Sequence, residues 1–379
     1  MCALSSQDLP ADLSELEGRK FVCIDECQLC CLCQPELLEK EVPYFKRNFP
    51  ERLVVRRSPH KHTALALKNG HGPCTFLDGG RCSVYPNRPH YCRQFPFHVH
   101  LGERVQVELD LSCRGVWLGR GEDAVAFGAQ LLNDNSAALK RGLEDSREVY
   151  RVFKANCYEA GIELEPGKLR REFESKLPLM TDPAFLGSIL DRSMEEDEMT
   201  LSELPESRTL DAKAVEELQL AAMETGLESL AAEDTFSTPV YCNPQGTWNI
   251  FVSQERELDL YQMDREGKIT RLRGIVPKRV PLLSPEGEGK KLFTDYLATL
   301  NRRDSFLGYA YYLIDDYGYD DPLSNVYYGA LATSALDLLW RASLLAHIWG
   351  GRLDREGMLE GIIFYDMDRL DAPTIGAFM

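Results

Sequence analysis

Four thiols stand within nine residues, at Cys23, Cys27, Cys30 and Cys31, with Cys33 close behind; a second set follows at Cys74, Cys82, Cys92 and Cys113. Thiolates are soft ligands that suit zinc, Cu(I) and iron-sulfur clusters, and a bound metal itself stabilises their deprotonation. The first eight residues, Met1 to Asp8, lack the basic stretch and apolar run of a secretory signal. A cytoplasmic location is therefore expected, where thiols stay reduced and dense cysteines read as metal ligands or redox groups rather than disulfides. Nine of the twelve cysteines lie between Cys23 and Cys113, and six of the seven histidines (His60, His62, His71, His90, His98 and His100) share that stretch.

Spacing bears on which metal. Structural zinc is usually held by two short C-x2-4-C knuckles, and only Cys27-x2-Cys30 has that form. The gaps of seven, nine and twenty residues in the second set do not resemble knuckles. Adjacent Cys30 and Cys31 point in different directions, which suits a larger cluster or two centres better than one ion. An iron-sulfur cluster, with [4Fe-4S] the expected form, is favoured, and zinc is the alternative. Cys23-x3-Cys27-x2-Cys30 also has the literal spacing of radical enzymes that bind S-adenosylmethionine on a β/α barrel, yet nothing downstream alternates strand and helix as a barrel requires. Residues 52–120 carry 11 Lys and Arg against 4 Asp and Glu. Arg88 and Arg93 lie inside the second set, where guanidinium groups could hydrogen-bond the sulfurs of an anionic cluster; both are expected to bind the cofactor. His71 and His90 are the nearest candidate nitrogen ligands, a minority role beside so many thiols.

Around the second set runs GPCTFLDGGRCSVYPNRPHYCRQFPF, residues 72–97. With the opening run ending in Cys30-Cys31 and the late Cys113-Arg114-Gly115, this resembles the YkgJ-type cysteine-cluster family, described as zinc- or iron-chelating. Cys74, Phe76, Leu77, Asp78, Cys82, Tyr85, Arg88, Pro89, Cys92, Arg93, Phe95 and Pro96 carry the likeness, over roughly residues 20–120. The opening run departs from the pattern, with three residues between Cys23 and Cys27 where two are usual, and Gln28 where glycine is common. The resemblance implies a metal site built from Cys23, Cys27, Cys30, Cys31, Cys74, Cys82, Cys92 and Cys113. A looser likeness in architecture is to flagellin lysine-N-methylases.

The surrounding elements must bring these groups together. Pro35 to Phe49 predicts two short helical turns, Pro43 opening the second. Thr63 to Leu67 and the strictly alternating Arg104 to Leu109 read as strands, with turns at Asn69-Gly70 and Asp78-Gly79-Gly80. Helices follow, among them Ser146 to Ala160 with Val149, Val152, Phe153, Asn156, Cys157 and Ala160 on one face, which makes Cys157 a core thiol. Met194 to Glu206 reads as an acidic linker, and Asp211 to about Glu233 as helix. Strands at Thr247 to Val252, Glu257 to Tyr261 and Lys268 to Leu272 predict an antiparallel meander, then helices fill most of 289–350 and Gly361 to Tyr365 reads as a strand. Val326 to Trp349 is long and apolar, but Asp337, Arg341 and His347 make it a core helix with a surface ion pair, not a membrane span.

The expected fold class is α+β: an N-terminal tail (1–19), an irregular cysteine-rich metal-binding module (20–120), a helical segment (121–234), and a meander with C-terminal helices (235–379). Residues 1–120 have a net charge of +2 and the remainder −19, which argues against nucleic acid as a partner of the body. The expected function is redox chemistry or protein modification at the metal centre, with a protein partner or substrate. A zinc-stapled protein-interaction module and a lysine-N-methylase-like enzyme are the alternatives.

Overall fold

The computed structural model describes residues 9–24, 27–57, 61–206, 210–231, 239–254 and 257–378; His60 lies outside them. The chain is α+β. Its first part holds short strands β1 (Ala11–Asp12), β2 (Lys20–Phe21), β3 (Leu53–Arg56), β4 (His62–Leu65), β5 (Leu77–Asp78), β6 (Arg81–Cys82), β7 (Phe97–Leu101), β8 (Val105–Leu109) and β9 (Glu122–Asp123), with helices α1 (Val42–Asn48) and α2 (His90–Gln94). The strands β3–β4 and β5–β6 form two-stranded antiparallel ladders, the second turning through Gly79 and Gly80, both at positive φ. Only one of the two helical turns expected over 35–49 forms. Pro43 sits in the first turn of α1, preceded by a turn at 39–41, but Glu36 and Leu37 are held out of a helix because Glu36 bridges Ala64 and the Leu37 N–H donates to Thr63 O at 2.8 Å.

Helices α3 (Ala124–Asp134), α4 (Ser136–Ala160), α5 (Pro166–Lys176), α6 (Pro183–Ser193) and α7 (Ala212–Ser229) come next. Helix α4 starts earlier than expected and turns a different face inward: Leu139, Leu143, Ser146, Tyr150, Phe153 and Cys157 are buried, whereas Val149 and Val152 are exposed. Polar contacts select that face, since Ser146 Oγ donates to Leu101 O and Tyr150 OH to Ile375 O. Cys157 is a core thiol, as expected. The acidic 194–206 segment is not a free linker. Met199 and Leu201 are buried, and Asn325 accepts from the Met199 N–H while donating to Glu195 O and Asp197 O.

The meander follows as β10 (Val240–Cys242), β11 (Trp248–Gln254), β12 (Glu257–Met263) and β13 (Ile269–Ile275), then α8 (Glu288–Arg302), α9 (Asp304–Asp316), α10 (Leu323–Trp349), α11 (Arg355–Leu370) and β14 (Ala377–Phe378). Gly361 to Tyr365 is helical, not a strand. A short apolar run carries no period of its own, and the start signal is Asp354, whose carboxylate accepts from Glu356 N and Gly357 N. Helix α10 is buried nearly all round, as a central helix should be. Its Asp337–Arg341 pair is buried rather than on the surface, Arg341 also reaching Phe364 O and Asp368. Among the described residues no helix is long and apolar enough to cross a membrane.

One sheet ties these parts together, in the order β1-β8-β7-β14, so both ends of the described chain flank the β7–β8 hairpin. Alternation in β8 serves two partners. Val105, Val107 and Leu109 enter the main apolar core with residues of α3, α4 and α8–α11, while Glu108 on the opposite face accepts from Ser305 N and Ser305 Oγ at the start of α9.

Candidate metal centre

The opening cysteines lie on a tight turn. Gln28 adopts φ +60°, a left-handed conformation that explains the preference for glycine at this place in the pattern. It leads into a single 3-10 turn, Leu29–Cys31, that carries Cys30 and Cys31. Cys74 arrives from the other segment by a backbone bond, its N–H donating to Cys31 O at 2.7 Å. Cys82 lies on β6 beside Leu77, and Cys92 on the short α2, which Pro89 precedes. Cys113 sits in a turn on the Asp110 carbonyl, just after the hairpin; Met367 N of α11 donates to Ser112 Oγ at 2.8 Å and holds that turn against the body.

Two cavities sharing walls lie among these thiols. The larger, about 340 Å³, is lined by Cys23, Cys30, Cys31, Cys33, Cys74, Cys82 and Cys92, with Arg88 and Tyr85. The smaller, about 90 Å³, is lined by Cys23, Cys27, Cys30, Cys92 and Cys113, again with Arg88 and with Arg93. All eight cysteines expected as ligands thus come together, and Cys33 joins them. None of the described cysteines is in a disulfide. Among the described residues no three His, Cys, Asp or Glu side chains stand so as to hold a metal ion between them. The thiols line walls instead of meeting at a point.

Crowding is written in their acidity. Burial pushes the Cys74 thiol up to about 11 and, with the neighbouring Cys30, Cys33, Cys74 and Cys82, pushes Cys92 higher still. Cys27 moves the other way, to about 6, chiefly because the Cys242 thiol hydrogen-bonds to it. So many thiolates cannot ionise together in this space without a compensating cation.

Charge from the protein is limited and specific. Arg88 stacks its guanidinium 3.8 Å over the Tyr85 ring, and its buried Nε has no hydrogen-bond partner among the described residues, leaving a donor at the cavity wall. Arg93 is committed elsewhere, to Arg88 O at 2.5 Å and Glu41 at 3.3 Å. His71 faces the meander, its Nε2 3.1 Å from Gly267 O, and His90 packs on Tyr91.

Two contributors escaped the sequence reading. Arg114 bonds Cys242 O through Nε and Nη2 at 3.2 and 2.7 Å and clasps both oxygens of Glu360. Cys242 itself, on β10, sends its Sγ to Cys27 O at 3.0 Å. Isolated in sequence, it carried no motif.

Gly115 shows how Cys113 is seated. A Cβ there would lie 2.0 Å from Val22 O, so only glycine lets the Val22–Cys23 backbone lie against the Cys113 turn. Gly115→Ala is expected to cost about 1–3 kcal/mol through forced backbone displacement. Metal content should fall with it, which elemental analysis beside a urea melt would check.

With this geometry in view, the comparisons decide the module. Residues 22–114 match the CxxCxxCC family model, described as a "putative zinc- or iron-chelating domain". The match covers the cysteine cluster, about a quarter of the chain. No curated protein and no solved structure matches the chain. The match supports metal binding by this domain, with zinc or iron as the metal.

Zn–S bonds of about 2.3 Å would draw four sulfurs to within about 4 Å of one another. Here, nine soft donors are spread over adjoining cavities with an unpartnered Arg88 donor on the wall. Cys23, Cys30, Cys92 and Arg88 line both cavities.

Proposed function

We propose that the module holds an iron-sulfur cluster, of the [4Fe-4S] kind, and that the protein uses it in redox chemistry or in modifying a protein substrate. The observation that carries this reading is the convergence of nine cysteines, the eight expected ligands and Cys33, from two chain segments onto the walls of two adjoining cavities. When bound, such a group supplies one-electron chemistry. The chain's own residues hold it with thiolates, present the Arg88 N–H to its sulfurs, and bury it behind Leu29, Leu77, Trp248 and Met263. A body of net charge −19 offers a basic protein partner an electrostatic surface, and a reducing, cytoplasmic setting fits the free thiols.

Protein purified without oxygen is expected to be coloured, absorbing in the visible sulfur-to-iron charge-transfer region, with iron and acid-labile sulfide in comparable amounts. A colourless preparation with stoichiometric zinc overturns the iron-sulfur reading and leaves a zinc-stapled interaction module.

A further inference from the structure

Cys242 lies outside the family match, on a strand of the meander, yet its side chain points into the cysteine run. Its backbone is pinned there. Arg114, the residue after Cys113, grips the Cys242 carbonyl, and Glu360 of α11 fixes that guanidinium bidentately while also accepting from Tyr241 OH. The Cys242 thiol, 1% exposed, reaches both the Cys27 carbonyl and the Cys27 thiol, and Cys27 is also the neighbour of Cys113. Cys27 and Cys242 are therefore side by side at the edge of the cysteine cluster that faces the meander. Trp248, Ile250 and Met263 of the meander pack against Cys27 and Cys31 from the same direction. The turn after β12 docks on the module as well, with Lys68 Nζ bonding Arg265 O and Asn69 Nδ2 bonding Glu266 O.

We propose that Cys242 is a thiolate ligand of the metal centre, so that the β-meander as well as the cysteine module holds the bound metal. This rests on the metal-centre reading above. On binding, the Cys242 S–H proton leaves to solvent and a sulfur–metal bond takes its place, with no change of oxidation state. A thiol that merely filled the core would behave as a small apolar side chain. One consequence is structural: loading the centre would lock the meander, and through Glu360 helix α11, onto the module.

The test uses the full chain, purified without oxygen, as wild type, Cys242→Ala and Cys157→Ala, the last a core thiol of α4. Metal per chain, metal-edge X-ray absorption and melting temperature before and after chelation are measured for each. Cys242→Ala is expected to lose one metal–sulfur scatterer, to weaken metal retention at least tenfold against a competing chelator, roughly the least that loss of a supporting group costs, and to lose part of the metal-dependent rise in melting temperature. Cys157→Ala should keep all three. An unchanged scatterer count and metal-dependent rise in Cys242→Ala, with only the metal-free melting temperature lowered, overturns the proposal and makes Cys242 a packing residue. Wild type without bound metal instead removes the reading beneath it, a separate outcome. Should Cys242→Ala fail to fold, selenocysteine at position 242 decides: metal–selenium scattering supports ligation, and its absence overturns it.

Discussion

Cys74→Ser is expected to strip the chain of metal and to release residues 23–96 while the helical body stays folded. Cys74 joins the two cysteine segments physically, through its N–H on Cys31 O, and packs with Phe45, Leu65, Phe76 and Val84 in a small cluster separate from the main core. A second small cluster, Leu29, Leu77, Trp248, Ile250 and Met263, holds the other side. Each buried side chain contributes about 1.5–3 kcal/mol, while ordering the backbone costs about 1–2 kcal/mol per residue. Two such clusters cannot by themselves order this loop-rich stretch. Metal supplies the difference, because a site absent from the unfolded chain converts binding free energy into folding free energy, on the order of 10 kcal/mol or more for structural metal. The β7–β8 hairpin is different, since its apolar face belongs to the main core. Hydrogen exchange should therefore show protection lost from residue 23 to about residue 96 and kept beyond, and chelating the wild type should reproduce the pattern. A variant that keeps its full metal content, or a chelated wild type with unchanged exchange, would refute this.

That division also explains what was legible beforehand. The cysteines are dense, chemically distinctive and local, so types and spacing alone singled them out, and the turn residues Asn69, Gly79 and Gly80 do stand in turns, the last two closing the β5–β6 hairpin. What could not be read depends on distant partners. Cys242 is one thiol with no neighbour of its kind, and only the fold carries it to Cys27. Helix α4 could have buried either of two adjoining stripes until Leu101 O and Ile375 O chose the one with Ser146 and Tyr150. The Asp337–Arg341 pair has the spacing of a surface pair, and nothing nearby in sequence signals that α11 covers it. Gly361 to Tyr365 is apolar at every position because the middle of α11 is packed on all sides, which erases the helical period; Gly361 approaches Ala342 so closely that an added Cβ would lie 2.6 Å from it. The acidic 194–206 stretch was misjudged because Asn325, far along the chain, supplies its backbone partners.

Arg303→Met is expected to destabilise the protein by about 3–5 kcal/mol, the cost of removing one partner from a buried ionic network. Arg303 is fully buried between Glu15 and Asp366, at 2.9 and 2.8 Å, with Glu108 at 4.0 Å and Leu109 O accepting at 2.7 Å. These partners come from the N-terminal turn, the hairpin that leads to Cys113, and α11, so this one guanidinium joins the metal-bearing part to the body. Burial already raises the Asp366 carboxyl above its ordinary range and pushes Glu108 up to about 7, with Arg303 opposing both shifts. Without the guanidinium, Glu108 and Asp366 are left in a dry space beside Glu15 and hold their protons more tightly still. The folded state then binds more protons than the unfolded one between the ordinary carboxylate pKa, about 4, and the raised values, so stability falls as pH rises through that window. The gap between Arg303→Met and wild type should accordingly be small near pH 5 and widen toward pH 8, as read by urea midpoints. Adding Glu108→Gln to Arg303→Met should recover part of the loss, since it removes one of the buried carboxylates whose charge the guanidinium offsets. A gap that stays constant with pH, unrelieved by Glu108→Gln, would mean that Arg303 acts through packing alone and that the charges around it are already neutral.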